Sequence, residues 1–207
     1  MTSKKRVVLI TGAESGIGKS TSKIFLDNGY KVICTYLKNN NNKNTKDIEY
    51  HRIDITKNKD WENLALYIKK KFKKIDVLVN SAGVRLSGNL ETTSMSDWSY
   101  HLNNNVTGTF LACKYILPFL KKAKNSSIIN VASINSIRGV KNMLAYATSK
   151  SAIISFTASL ALDLTKNKIR VNAVAPGAIE TPMLASFKKD LSLKDYQKKM
   201  KENHPIG

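Results

Sequence analysis

The sequence predicts an α/β protein whose parallel sheet is doubly wound, with helices on both faces, as a single domain over residues 1–207. Short apolar runs that suit strands buried on both faces alternate with helix-periodic segments from end to end. A glycine loop, residues 11–18, follows the first apolar run and opens the first helix. The 207 residues, 42% of them hydrophobic, are enough for one sizeable core, and we find no repeat or linker that would divide them.

The elements follow one another in a strict β–α order. Strands are predicted at residues 6–10, 31–36, 50–53, 76–79, 127–131 and 169–174. Helices are predicted from the glycine loop to residue 28, at 59–72, at 96–121, from the Tyr146 region to 165, and as a polar stretch after Thr181. Gly29 is expected to end the first helix, and Pro118 to bend or end the long one. Residues 39–46 are polar and rich in asparagine, which predicts a loop.

Polar residues and glycines stand at or just past the ends of the predicted strands. The glycine loop, Asp54, Asn80, Ser133 and Pro176 all occupy such positions. Right-handed crossovers and a glycine turn after the first strand predict the Rossmann fold, which binds ligands at the carboxyl ends of its strands. We therefore expect these residues to meet in one crevice.

The glycine loop suits a pyrophosphate, because it brings backbone N–H groups and a helix N-terminus together. Gly12 can make the turn, Gly16 permits close approach, and Gly18 lets the helix pack on the sheet. The spacing is Gly-x-x-x-Gly-x-Gly rather than the commoner Gly-x-Gly-x-x-Gly. Residues 13–20 also fit a relaxed phosphate-loop pattern, which would make a nucleotide triphosphatase. That alternative needs a magnesium-binding aspartate at the end of a strand, and none stands after the fourth or fifth strand.

Tyr146, Lys150 and Ser133 have the chemistry of carbonyl reduction. Reduction places a hydride on carbon and needs a proton on oxygen, which a tyrosine can supply although its free pKa is about 10. Lys150 follows one helical turn later, and its positive charge favours the phenolate, as acid–base catalysis requires. Ser133, thirteen residues before Tyr146, can hold the substrate oxygen.

In this order, the motifs resemble those of the short-chain dehydrogenase/reductase family in its single-domain form, over nearly the whole chain. The matching positions are Thr11-Gly-x-x-x-Gly-x-Gly18, Asp54, Asn80-Ser-Ala-Gly83, Asn105, Ser133, Tyr146-x-x-x-Lys150, Pro176-Gly177 and Thr181. The resemblance implies hydride transfer between NADP or NAD and a carbonyl or secondary alcohol.

The resemblance also implies the roles of individual residues. The catalytic set is Asn105, Ser133, Tyr146 and Lys150, in which Asn105 holds a water that links Lys150 to solvent. Asp54 would bind the adenine, and Lys150 would also hold the nicotinamide ribose. The cofactor-binding set is Gly12, Ser15, Gly16, Ile17, Gly18, Tyr36, Asp54, Asn80, Ala82, Gly83, Tyr146, Lys150, Pro176, Gly177, Ile179 and Thr181.

Cofactor preference depends on the end of the second strand. An acid there would accept the ribose hydroxyl of NAD, but Tyr36 occupies that position and Lys38 follows, which favours NADP. Ser15 stands where NADP users of the family often have arginine, and Glu14 adds a negative charge nearby, so NAD remains the alternative.

Two further departures from the family pattern concern Ser81, which replaces a usual asparagine, and the C-terminal end. Members continue past a segment like residues 204–207 into a final helix and a seventh strand, which we expect to be missing here.

We expect an oxidoreductase resembling 3-oxoacyl-acyl-carrier-protein reductases, with sugar or polyol dehydrogenases as the next subclass. Lys121, Lys122 and Lys124 are candidate contacts for an acidic carrier protein. A non-catalytic nucleotide-binding or scaffold protein is the alternative from another class. The family pairs the Tyr146 helix and the preceding long helix across a two-fold axis, which implies a homodimer or homotetramer.

The formal charge of +19 comes from lysines spread over almost every predicted helix and loop. Without an aromatic-interleaved basic stripe or a recognition-helix signature, we expect no nucleic-acid partner. Cys34 and Cys113 stand apart in apolar surroundings, and the histidines share no motif, so no disulfide or metal site is expected. The lack of a signal segment, and of an apolar run of roughly 18 residues, predicts a cytoplasmic protein without a membrane partner.

Overall fold

The computed structural model describes residues 5–38 and 43–188, in which the predicted β–α alternation is present. The strands are β1 (Val7–Thr11), β2 (Lys31–Tyr36), β3 (Ile48–Arg52), β4 (Val77–Asn80), β5 (Ser127–Val131) and β6 (Arg170–Val174). The α-helices are α1 (Gly16–Asp27), α2 (Asn58–Lys71), α3 (Met95–His101), α4 (Gly108–Leu120), α5 (Leu144–Asp163) and α6 (Pro182–Lys188). The predicted elements that lie past residue 188, and part of the asparagine-rich loop, fall outside these ranges.

The strands form one parallel sheet in the order β3-β2-β1-β4-β5-β6. β1 lies at the centre, where Val8 pairs with Val32 of β2 on one side and Val77 of β4 on the other. The chain thus runs outward from β1 in one direction and then returns to continue in the other. This reversal opens a crevice above the carboxyl ends of β1 and β4, which confirms the predicted doubly wound fold.

The core lies on both faces of the sheet, because alternate residues of each strand point to opposite sides. Leu9 packs with Trp61 of α2 and Ile116 of α4 on one face, whereas Val8 and Ile10 pack on the other. Trp61 is fully buried in this core. Both faces being covered explains the near-continuous apolar runs in the sequence.

The helix predicted at 96–121 is continuous but changes its winding in the middle. A π-helical segment, Leu102–Thr107, joins α3 to α4, and the Gly108 N–H is bonded to the Asn103 carbonyl five residues back. Pro118 lies in the last turn of α4, which ends at Leu120. The sequence pattern did not predict the π segment, and it carries Asn105. Such segments widen a helix locally and are frequent at functional sites.

None of the helices in the described ranges is long and apolar enough to cross a membrane.

Candidate active site

A cavity of about 670 Å³ opens above the carboxyl ends of the strands. Its wall is formed by the loops after β1, β2, β4, β5 and β6, together with the start of α5 and α6. Of the predicted residues, the following line it: Gly12, Ser15, Gly16, Ile17, Tyr36, Ala82, Gly83, Ser133, Tyr146, Lys150, Pro176, Gly177, Ile179 and Thr181. The folding of the chain therefore brings most of the predicted set together.

The first part of the cavity wall is the glycine loop, whose backbone needs the missing side chain at Gly12. Gly12 has a φ of +65°, and a Cβ there would lie 2.7 Å from the Ala82 Cα. A Cβ at Gly18 would overlap the Gly12 carbonyl oxygen, so the start of α1 packs directly on the loop. The loop is thus a backbone cradle at a helix N-terminus, which fits the pyrophosphate of a dinucleotide.

Thr11 ties this loop to the neighbouring strand. Its Oγ1 accepts hydrogen bonds from the backbone N–H groups of Ser81 and Ala82, both at 3.1 Å. The end of β1 and the segment after β4 are therefore fixed to one another at the point where the sheet reverses direction. Across the cavity, a Cβ at Gly16 would lie 3.0 Å from Thr181 Cγ2, so the loop also approaches the segment before α6 closely.

A carboxylate lies at the end of β2. Glu14 Oε1 accepts a hydrogen bond from the Leu37 N–H at 3.4 Å, and Glu14 Oε2 is buried without a partner among the described residues. Tyr36 lines the cavity beside it, whereas Lys38 is exposed and does not. The negative charge that β2 itself lacks is thus supplied from the glycine loop.

Asp54, Asn80, Gly18 and Asn105 do not line the cavity. The Asp54 carboxylate accepts from the backbone N–H and the hydroxyl of Thr56, at 2.9 and 2.7 Å. Asn80 is buried, and its Nδ2 donates to Asn130 Oδ1 at 2.8 Å. These contacts make Asn80 a link between β4 and β5, behind the cavity wall.

Tyr146 and Lys150 lie one turn apart on α5, and both are buried, with 8% and 5% of their surfaces exposed. Lys150 Nζ donates to the Val131 carbonyl at 2.7 Å, so α5 is anchored to the end of β5. Burial lowers the pKa of the Lys150 ammonium to about 8. The other two N–H groups of that ammonium remain to serve a ligand in the cavity.

Ser133 begins a short 3-10 turn, Ile134–Ser136, immediately after β5. Its Oγ accepts from the Asn135 N–H at 3.2 Å, and its own N–H donates to Ser136 Oγ at 3.1 Å. These two bonds fix the serine at the cavity wall, and its O–H hydrogen can still be donated to a substrate oxygen.

Asn105 lies behind Gly83, in the π segment. Its Oδ1 accepts from the Val84 N–H at 2.8 Å, and its Nδ2 donates to Ser149 Oγ at 2.8 Å. A Cβ at Gly83 would lie 3.0 Å from Asn105 Oδ1 and 3.3 Å from Lys150 Nζ. A glycine is therefore needed where the asparagine and the lysine approach the same stretch of backbone.

Sequence reasoning missed two residues of this region, His101 and Arg85. The sequence analysis assigned His101 no role, because the histidines share no motif. The structure shows it fully buried, with its ring edge to face with that of Tyr146 and the two ring centroids 6.3 Å apart. Arg85 lines the cavity two residues after Gly83. Its closeness in sequence to the Asn80–Gly83 motif was the one signal that could have predicted a place in the cavity wall.

The phosphate-loop alternative gains no support. Lys19, which would contact the phosphates, is exposed and does not line the cavity. Within the described residues, no group of three or more histidine, cysteine or acidic side chains could hold a metal ion.

Comparison with known families is specific. The model of the short chain dehydrogenase family matches residues 6–192. The 3-oxoacyl-[acyl-carrier-protein] reductase FabG of Thermotoga maritima is 37% identical over 186 residues, which are 86% of this chain and 76% of that protein.

Solved structures agree with the sequence comparison. The ligand-free aldohexose dehydrogenase AldT of Thermoplasma acidophilum is 33% identical, with a TM-score of 0.86, and the match covers 96% of this chain and 78% of that one. A variant of ElxO with NADPH bound is 32% identical, with a TM-score of 0.85, over 94% and 83% of the two chains.

Proposed function

Since the chain belongs to the short-chain dehydrogenase/reductase family, we propose that Tyr146 transfers the proton in an NAD(P)-dependent reduction of a carbonyl or oxidation of a secondary alcohol. The activity class, an oxidoreductase that uses NADP or NAD, follows from the family and its relatives. The observation that carries the residue assignment is that Ser133, Tyr146 and Lys150 line one cavity beside the glycine cradle.

The cavity suits a dinucleotide, because the close approach of Gly12 to Ala82 leaves a backbone surface that a Cβ would fill. Gly12, Ser15, Gly16 and Ile17 would hold the pyrophosphate end. Pro176, Gly177, Ile179 and Thr181, from the loop after β6, would hold the other end. When bound, the nicotinamide supplies or accepts the hydride.

Three side chains divide the remaining chemistry. Ser133 donates a hydrogen bond to the substrate oxygen and orients it. During reduction, Tyr146 gives its hydroxyl proton to that oxygen as the hydride reaches the carbon, and it becomes a phenolate. The Lys150 ammonium, held by the Val131 carbonyl, stabilises the phenolate and would also hold the ribose of a bound cofactor.

Residues behind the wall have supporting roles in this proposal. Asn105 holds the water that links Lys150 to solvent, and Asn80 supports β4 next to the cofactor. Asp54, which here caps the turn with Thr56, would bind the adenine with the remaining acceptor capacity of its carboxylate.

A substitution at Tyr146 tests the mechanism. Tyr146→Phe should bind NADPH or NADH like the wild type, by nicotinamide fluorescence, and lose turnover by a factor of about 100 to 10,000. Tyr115→Phe is the matched control, because the Tyr115 hydroxyl is exposed and contacts Asn58 on the surface. A Tyr146→Phe protein that keeps the rate of the wild type would show that the mechanism is wrong. If the wild-type protein bound neither NADPH nor NADH, the alternative of a scaffold protein would be favoured.

The subclass, location and assembly also remain proposals. FabG-like activity would give the exposed Lys121, Lys122 and Lys124 an acidic carrier protein as partner. Turnover of an acyl-carrier substrate should then fall as salt is added. A homodimer or homotetramer, a cytoplasmic location and a single domain over residues 1–207 are our remaining expectations.

A further inference from the structure

Arg85 is a cation in the wall of the part of the cavity that holds Ser133 and Tyr146, here called the substrate half. It is half-buried and lines the cavity together with Ser87 and Tyr146. Burial lowers the pKa of its guanidinium, and the negative charge of Tyr146 in its phenolate form acts in the opposite direction, so the two groups are close enough to interact. An arginine stays charged in such surroundings, which places a permanent positive charge near the group that transfers the proton.

The backbone on both sides of Arg85 is fixed. Before it, Asn105 binds the N–H and the carbonyl of Val84, at 2.8 and 3.0 Å. After it, the Leu86 N–H donates to His101 Nε2 at 2.9 Å. Because the ring of His101 also contacts that of Tyr146, one buried side chain sets the position of both the arginine segment and the catalytic hydroxyl.

Two further cations line the cavity beside Arg85. Arg138 and Lys141 line the exposed rim on the same side. Among the described residues of the lining, the only acid is Glu14, which lies at the β2 side against the Leu37 N–H. A neutral substrate would gain nothing from this arrangement, whereas an anionic one would be oriented by it.

We propose that Arg85 anchors a carboxylate of the substrate, so that the enzyme acts on oxo acids and the corresponding hydroxy acids. The planar guanidinium matches a carboxylate with two parallel hydrogen bonds, which fixes direction as well as distance. The inference rests on the proposed function of the same cavity, and His101 and Asn105 act in it as positioning residues.

Matched pairs of substrates test this anchor. Pyruvate, acetoacetate and levulinate place the carboxylate one, two or three bonds from the carbonyl carbon, and each methyl ester lacks the charge. The wild type should prefer at least one acid over its ester by about tenfold or more in kcat/KM, the effect of a hydrogen bond to a charged group. Arg85→Gln should abolish that preference, and Arg85→Lys should restore part of it.

Arg170→Gln is the control, because it removes the same charge from an exposed strand position outside the cavity lining and should leave the acid-to-ester ratio unchanged. Equal ratios for the wild type and Arg85→Gln would overturn the anchor, as would loss of the preference in Arg170→Gln alone. Calorimetric titration of the three acids into the protein with NADP tests the anchor without turnover. If no acid binds the wild type more tightly than Arg85→Gln, the carboxylate anchor is overturned.

His101 is tested by a conservative variant. His101→Leu removes the acceptor for the Leu86 N–H and should raise KM for the preferred acid, whereas His101→Gln offers an amide oxygen and should recover part of it. Unchanged KM in His101→Leu would overturn the positioning role. Failure of the proposed function itself has a separate signature, namely no binding of either NADPH or NADH, whereas cofactor binding without turnover of any of the three acids would overturn the anchor alone.

Discussion

Asn105 holds both backbone polar groups of Val84: its Oδ1 accepts from the N–H at 2.8 Å, and its Nδ2 donates to the carbonyl at 3.0 Å. The pair joins the π-helical segment to the stretch of backbone after β4, which lines the cavity. A side-chain amide can copy the pairing of a strand in this way because it carries one acceptor and a donor side by side. The same side chain reaches Ser149 of α5, the helix of Tyr146 and Lys150.

Loss of this amide should destabilise the protein and the site together. Asn105→Ala leaves the Val84 groups without partners, at a cost of about 2 kcal/mol or more in the free energy of unfolding. Asn103→Ala, an exposed change in the same π segment, should cost little. Urea unfolding of the two variants checks the difference, and equal stabilities would show that the pairing with Val84 is energetically unimportant.

The Glu14 carboxylate should weaken NADP binding relative to NAD. It lies at the Leu37 N–H, just past the end of β2, where the adenosine ribose of a bound dinucleotide is expected. Glu14→Gln removes a charge that repels a 2′-phosphate, so the affinity ratio should shift toward NADPH by about fivefold, which corresponds to about 1 kcal/mol. Titration with NADPH and NADH, followed by nicotinamide fluorescence, measures the ratio.

The control for this prediction is Glu91→Gln, an exposed acid outside the cavity lining. A shift of the ratio toward NADPH in both variants would indicate a general effect of net charge. No shift in Glu14→Gln would place the ribose away from Glu14 and leave Tyr36 and Lys38 to decide the preference.

Lys150 should make the stability of the protein depend on pH in the alkaline range. Burial lowers its pKa from 10.5 to about 8, so below pH 8 the folded state holds a buried charge that the unfolded state exposes to water. As the pH rises from 8 to 10.5, the folded protein releases this proton first and the penalty disappears. At 1.36 kcal/mol per unit, the whole effect is on the order of 3 kcal/mol.

Lys150→Met removes this penalty and also the donor to the Val131 carbonyl, so its stability relative to the wild type should decline as the pH rises from 8 towards 10.5, and the variant should lose activity. Thermal unfolding at several pH values measures the difference in stability between Lys150→Met and the wild type. Groups that titrate alike in both proteins do not contribute to this difference. Lys23→Met, on the exposed face of α1, should show no such trend. A stability difference for Lys150→Met that is constant with pH would show that its ammonium is not destabilised by burial.

The order of elements could be predicted closely because it depends on local patterns. Buried parallel strands produce apolar runs such as Val7–Thr11, and positive φ angles select glycine at Gly12 and Gly29. The ends of helices and strands were correct to within about two residues, the usual disagreement at frayed ends. The π segment was not predictable, since it depends on Asn105 meeting the backbone of Val84, which is distant in the chain.

The site could be predicted where the chemistry depends on a motif, and not where it depends on packing. Tyr146, Lys150 and Ser133 were identified from residue types and spacing, and the fold brings them to one cavity. Neither His101 nor Arg85 belongs to a motif. Only the packing of α3 against α5 and the course of the backbone after Gly83 show what they contact.

The sequence by itself determined the fold class and the family and predicted the reactive side chains, because strand burial, glycine turns and helical spacing act over a few neighbouring residues. Only the tertiary structure decided which side chains share the cavity and which stand behind it. Asn80 and Asn105 lie at predicted positions but work through the backbone and other side chains, as Asn80 does with Asn130. Their roles depend on contacts between segments far apart in the chain, and no local pattern encodes such contacts.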